Sequence, residues 1–196
     1  MDPVEPVEND EALWRRAAAG DAAGMGALFR RHANAVYNHC FRRTGNWSTA
    51  EDLTSVVFLE AWRQRSRLRP SATGSVLPWL LGIATNVVRN HVRALGRYER
   101  ALARLPPLAD EADPADVAAL RVDAEVEMAS ILPAYHRLRR EEQDVLALCA
   151  WSGLSYEDAS IALAVPVGTV RSRLNRARRH LRELLDRPAT LEKELR

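Results

Sequence analysis

The sequence predicts an all-α fold in two small helical domains. Three observations carry that expectation: apolar residues recur at helical spacing through most of the chain, no stretch sustains strand alternation, and an acidic, Pro-containing segment divides the periodic stretches. The 196 residues suffice for two such domains. The formal net charge of +2 is the small remainder of segregated blocks. Acidic side chains crowd Asp2, Glu5, Glu8, Asp10 and Glu11, and again the segment from Asp110 to Glu127, while arginines crowd the stretches between and after. Local sign, not the sum, governs which partner approaches.

Residues 1–10 read as a disordered acidic tail with no apolar leader core. From Glu11 to about Thr44 the apolar spacing predicts two helices broken near Gly20–Asp21, with Leu13, Trp14 and Ala17 on the first and Leu28, Val36, Cys40 and Phe41 on the second. "TGNWST" predicts a turn, and Ser48 or Thr49 is the expected cap of a third helix whose first turn holds Glu51 and Asp52, where the helix dipole favours anions. "SRLRPSATGSV" interrupts the periodicity, and a fourth helix is expected from Leu77 to about Arg93. Its stretch "SVLPWLLGIATNVV" is the most apolar of the chain but too short to cross a bilayer, so it reads as a core helix and no membrane insertion is expected.

Beyond Arg100, "LPPLADEADPAD" is too polar to pack a core and predicts a linker over 100–125. The expected division is a first domain at 11–99, a second at 126–187 and a tail at 188–196. The second domain should hold a helix ahead of Pro133, another from about Glu141 to Trp151, and a closing helix pair ended by Pro188.

Cys40 and Cys149 form no disulfide framework and no C-x-x-C motif, which favours a reducing cytoplasmic setting. His39–Cys40 has no second spaced pair, so no metal is expected, and a free Cys is commonly a small buried apolar group. No nucleophile elbow, phosphate loop or metal-ligand spacing organises the histidines and carboxylates; neither catalysis nor a cofactor is expected.

The chemistry concentrates in "LSYEDASIALAVPVGTV" and the arginine-rich helix that it enters. Ser155 is the expected N-cap of a short helix, with Asp158 at capping-box spacing, and Pro166 stops that helix and presets the next. At about 100° per residue, Val170, Leu174, Ala177, Leu181 and Leu184 share one stripe of the last helix, while Ser172, Asn175, Arg176 and Arg179 gather opposite. That polar side has almost no carboxylate before Glu183, unlike a helix that is merely solvated. Two short helices so joined form a helix-turn-helix, whose second helix enters a DNA major groove. Thr169, Arg171, Ser172, Asn175 and Arg176 would then face base edges or nearby phosphates, and Arg179 and Arg182 would grip the backbone.

The ordered set "ALFRRHANAVYNHCFRRTGN", "AEDLTSVVFLEAW", "WLLGIATNVVRNHVR" and "LSYEDASIALAVPVGTVRSRLNRARRHLREL" resembles the extracytoplasmic-function sigma factors of the sigma-70 family of bacterial RNA polymerase. The resemblance implies a promoter-specific initiation factor that keeps two domains, region 2 and region 4. It implies docking of the third helix on the clamp coiled coil of the largest subunit, with Asp52, Leu53, Ser55, Val56, Phe58, Leu59 and Trp62 as candidate contacts, and a further contact of the factor with the flap of the second-largest subunit. It also implies that the loop after this helix and the face of the fourth helix recognise and melt the minus-ten element. Arg67 and Arg69 would supply cations there, with Trp79, Asn86, Arg89, Asn90 and Arg93 beside them; Trp79 reads first as a core anchor, and Asn86 as the amide that pairs with a base.

The duplex of the minus-thirty-five element would lie on Thr169, Arg171, Ser172, Asn175, Arg176 and Arg179. Ser55–Val56 stand where the family commonly has Gln and an acid, and Ala164 stands where it usually has Gly. The linker resembles a segment that threads polymerase channels, with Asp110, Glu111, Asp113, Asp116 and Asp123 mimicking nucleic-acid charge; an ordinary solvated spacer fits equally. A monomer is expected, free or in holoenzyme, and whether an anti-sigma protein holds it is left open. The competing reading is a stand-alone helix-turn-helix regulator, which leaves the first domain unexplained and lacks an evident dimer helix.

Overall fold

The computed structural model describes residues 8–67, 74–102 and 119–186. They form helices throughout, with no strand among the described residues: α1 Asp10–Ala18, α2 Ala22–Thr44, α3 Trp47–Arg63, α4 Leu77–Leu102, α5 Ala119–Arg137, α6 Arg140–Val145, α7 Tyr156–Leu163 and α8 Val167–Leu185. A π-helical turn, Leu146–Trp151, extends α6.

Each start has a local cause. The Asn9 side chain accepts from the Ala12 amide at 2.9 Å and the Asp21 side chain from Ala23 at 2.8 Å, so the break at Gly20–Asp21 lies where the sequence places it. Asp10, expected in a solvated tail, instead opens α1 with its carboxylate buried, bound by Arg31 at 2.7 Å, His32 at 2.8 Å and the Val76 amide at 3.1 Å. Burial pushes this carboxyl up, but hydrogen bonds from Arg31 and Val76 and the charge on His32 outweigh that and leave it below its ordinary value. The cap of α3 is Asn46, whose side chain accepts from the Thr49 amide at 2.8 Å, so neither Ser48 nor Thr49 caps it. Gly45 needs the freedom of a missing Cβ because its φ is +68°, and it packs against Leu132 of α5.

Helices α1 to α4 pack Leu13, Trp14, Leu28, Val36, Val57, Leu80 and Leu81 into one core. Trp79 is half-buried and meets Trp14 edge-on at 4.9 Å, the anchoring role given to it first. The core continues without a gap into Tyr135, Leu138, Val145, Leu148, Val170 and Leu174 of α5 to α8. The two halves therefore share a packed boundary, which the linear sequence does not announce.

Three helix limits differ from expectation. Helix α4 runs on to Leu102 rather than ending near Arg93, because Ala94, Leu95, Arg97 and Arg100 favour helix although Leu95 stays exposed. Helix α5 passes through Pro133 instead of stopping ahead of it, held by the burial of Leu132, Ala134, Tyr135 and Leu138 around the proline. Helix thus occupies both margins of the stretch expected as a linker. Asp110, Glu111, Asp113 and Asp116 lie outside the described residues, as does Pro188; the last helix ends at Leu185.

The joint between α7 and α8 follows the expected chemistry. Ser155 Oγ accepts from the Asp158 amide at 3.0 Å, and Pro166 stands immediately ahead of α8. Ala164 adopts φ +52°, ψ +45°, a left-handed conformation that crowds a Cβ. Ala164→Gly is therefore expected to stabilise the protein by about 0.5–1 kcal/mol, the relieved strain less the extra chain entropy of glycine. Thermal unfolding checks it; an unchanged or lower midpoint would mean that the alanine is not strained.

Candidate nucleic-acid interface

Two faces assemble the residues expected to meet DNA. On α8 the buried stripe is Val170, Leu174 and Ala177, with Leu181 and Leu184 packed at its end. Opposite it, Arg171, Ser172, Asn175, Arg176 and Arg179 are exposed and Thr169 is half-buried. Arg171 lies 5.7 Å from the Tyr156 ring centroid of α7, which steadies the guanidinium at the start of the helix. Arg179 has only an exposed approach of 3.8 Å to Glu183, so its charge remains available to a polyanion.

On α4 the structure brings Trp79, Asn86 and Asn90 to one cavity of about 310 Å3. Its far wall is Ile161 and Ala162 of α7, the first helix of the helix-turn-helix. Gly82 permits the closeness: a Cβ there would lie 2.6 Å from the Ala162 carbonyl oxygen. Arg93 is exposed, with its guanidinium 3.5 Å from the Asn90 side-chain oxygen. Arg67 is exposed, whereas Arg69 lies outside the described residues.

Arg89 is not free. Its guanidinium donates to Asp144 of α6, and the same carboxylate accepts from Arg43 of α2 at 2.9 Å. Asp144 is fully buried and the Arg43 side chain is 3% exposed, so this triad ties α2, α4 and α6 together away from water. Around it, His39 pairs with Ser152 Oγ at 3.0 Å and Thr85 Oγ1 at 3.2 Å, Arg42 donates to the Trp151 carbonyl, and His136 donates to the Arg43 carbonyl at 3.2 Å. The π-helical turn, closed by the Ser152 amide on the Ala147 carbonyl, carries the Trp151 carbonyl and Ser152 into these contacts. Burial, reinforced by the charges of Arg43 and Arg42, pushes the His39 pKa well below its ordinary value and keeps the ring neutral. Burial likewise pushes the Cys40 thiol up to about 12, which suits a packing role.

Helix α3 corrects part of the docking expectation. Leu53 and Phe58 are buried, Phe58 edge-on against Phe29 of α2 at 4.8 Å. Asp52, Ser55, Val56 and Leu59 are exposed, and Trp62 is half-buried with Arg65 4.3 Å above its ring. Phe29, 44% exposed, joins this face from α2 and was not foreseen, since its spacing reads equally as core. Phe29, Tyr37, Glu51 and Ser55 border a shallow groove between the two helices.

Known proteins resemble this chain in sequence and in fold. Residues 28–98 match the family description "Sigma-70 region 2", and residues 131–181 match "Sigma-70, region 4". The chain is 34% identical to the ECF RNA polymerase sigma factor SigE of Mycolicibacterium smegmatis, over 94% of this chain and 71% of the relative. It is 30% identical to the RNA polymerase sigma factor NccH of Alcaligenes xylosoxydans xylosoxydans, over 90% and 94%, and 31% identical to the ECF sigma factor SigK of Mycobacterium tuberculosis, over 90% and 93%. In fold it is similar to CnrH, solved in complex with the cytosolic domain of CnrY, with a TM-score of 0.66 at 24% identity over 91% of this chain and 98% of that one. It is also similar to the sigma factor RpoE of Bartonella quintana, solved with the anti-sigma factor NepR, with a TM-score of 0.59 at 24% identity over 83% and 98%.

Proposed function

The chain belongs to the extracytoplasmic-function sigma factors of the sigma-70 family, and from that membership we propose how its residues divide promoter recognition. It binds core RNA polymerase and directs transcription from specific promoters. We assign the minus-ten element to Trp79, Asn86, Arg89, Asn90 and Arg93 on α4 together with Arg67 and Arg69. The minus-thirty-five duplex falls to Thr169, Arg171, Ser172, Asn175, Arg176 and Arg179 on α8. Asp52, Ser55, Val56, Leu59 and Trp62 of α3, joined by Phe29, form the polymerase-docking face. The observation that carries the division is the separation of an exposed, carboxylate-poor α8 face from an α4 face of amides and arginines beside a tryptophan. In this reading the factor works in the cytoplasm, carries no reaction of its own and needs no cofactor. Among the described residues no helix is long and apolar enough to cross a membrane.

The arrangement described here is a closed one. The two promoter elements lie roughly 25 base pairs apart by their names, which is about 85 Å of duplex at 3.4 Å per pair. Helices α4 and α7 are in contact, and α7 covers the cavity of Asn86 and Asn90, so both elements are engaged only after the halves separate. Two similar folds were solved with CnrY and with NepR bound, which supports an anti-sigma protein as a partner of this chain as well.

The test is run-off transcription from a genomic promoter library by core polymerase with and without this protein, with permanganate reactivity reporting unpaired thymines. New start sites with strand opening are expected only when the protein is present; tight duplex binding without polymerase and without strand opening would favour the stand-alone regulator. Within that assay, Asn86→Ala should leave recruitment to closed duplex nearly intact while lowering the open fraction. Leu59→Ala with Trp62→Ala should weaken polymerase binding by about 2 kcal/mol, since aromatic and apolar anchors dominate interfaces. Unchanged polymerase affinity in that folded double variant would remove α3 from the docking face.

A further inference from the structure

A second concentration of positive charge, apart from the α8 face, lies where α4 meets the α5–α6 corner. A cavity of about 490 Å3 opens between the C-terminal half of α4 and the α5–α6 corner. Arg43, Arg89, Arg93, Arg97, Arg100 and Arg140 line it, and no carboxylate does among the described residues. Among the described residues Asp144, bound to Arg43 and Arg89, offsets one of these six charges. Like charges so gathered repel one another unless an anion sits among them.

One wall is a buried guanidinium. The Arg43 side chain is 3% exposed, with the Tyr135 hydroxyl nearby, and its Nε and Nη1 are buried without a well-aligned hydrogen bond among the described residues; the Nε of Arg89 is in the same condition. These atoms have no surface open to the cavity, so a bound anion meets the buried charge at close range and takes its hydrogen bonds from the exposed Arg93, Arg97, Arg100 and Arg140. A DNA duplex, too broad for a cavity of this volume, would reach only the exposed rim at Arg93, Arg97 and Arg100 and not Arg43. The apolar part of the lining, Val88 and Val92, leaves room beside the charges for a small organic group.

We propose that this cavity is a binding site for a small polyphosphate-bearing anion, inorganic or carried on a nucleoside. Because Arg43, Arg89, Arg93 and Arg97 come from one half of the molecule and Arg140 from the other, the bound anion bridges the halves. It holds the closed arrangement and competes with promoter DNA for Arg89 and Arg93.

The experiment is titration calorimetry on the full chain at about 0.15 M salt, where surface charge is screened over about 8 Å. The probes are inorganic pyrophosphate and a metal-free nucleoside triphosphate in separate arms, with no polymerase or DNA present, so the outcome is independent of the promoter assignments. Saturable one-to-one binding is expected, about tenfold weaker in Arg97→Gln and in Arg140→Gln, each of which loses a charged hydrogen bond, and unchanged in the equally charge-depleted control Arg15→Gln. Tighter binding of the nucleoside triphosphate than of inorganic triphosphate, run as a third arm, identifies a nucleoside-borne ligand; equal binding of those two identifies the phosphate groups alone. Heats that do not saturate, or equal weakening in all three variants, would each overturn the site.

Discussion

Asp144→Asn is expected to open the molecule. The carboxylate is the one acceptor that joins Arg43, Arg89 and α6, and removing a partner from a buried ion pair commonly costs about 3–5 kcal/mol because the remaining charge stays desolvated. Here the protein has an alternative to bearing that cost: if α2 and α4 part from α6, both guanidinium groups regain water. The expected result is therefore a larger radius of gyration in solution scattering with helical content retained, together with tighter binding of duplex DNA as Arg89 is freed. Gly82→Ala approaches the same boundary from another side, since its Cβ would meet the Ala162 carbonyl at 2.6 Å while leaving α4 a better helix former. Unchanged dimensions in both variants would show that the boundary is not held by these contacts.

The second large effect concerns α8. Asn175→Ala with Arg176→Ala is expected to lower transcription from a minus-thirty-five-dependent promoter about thirtyfold or more, because each base-reading side chain discriminates by about 1–3 kcal/mol. Base preference at the upstream element should relax along with the loss. Arg179→Ala and Arg182→Ala should instead weaken all sequences alike and lower the salt dependence of binding by about one unit of slope each. Identical preferences in all three variants on a randomised upstream element would place α8 outside the groove.

The linear sequence determined what depends on neighbours along the chain. Apolar spacing gave the helices and the core stripe of α8, and side-chain acceptors gave the caps at Ser155 and the break at Asp21. The four ordered motifs gave the family, because each is a local pattern whose meaning does not depend on distant partners. Local reading also erred: Ser48 or Thr49 was expected to cap α3 and Asn46 does, and α4 was expected to end near Arg93 and runs to Leu102.

Tertiary structure decided which side of a helix is free. Phe58 and Trp62 looked alike as anchors; only the packing of α2 against α3 buries Phe58 on Phe29 and leaves Phe29 partly exposed. It also decided that Arg89, legible as a DNA contact, is held by Asp144, and that Arg43 lies behind a basic cavity. Arg43 and Asp144 are 101 positions apart, and no periodicity links them. Burial sets their energetics: exposed charges act through a screened solvent, whereas these act on each other where little water reaches, and only the fold decides which charges are placed there.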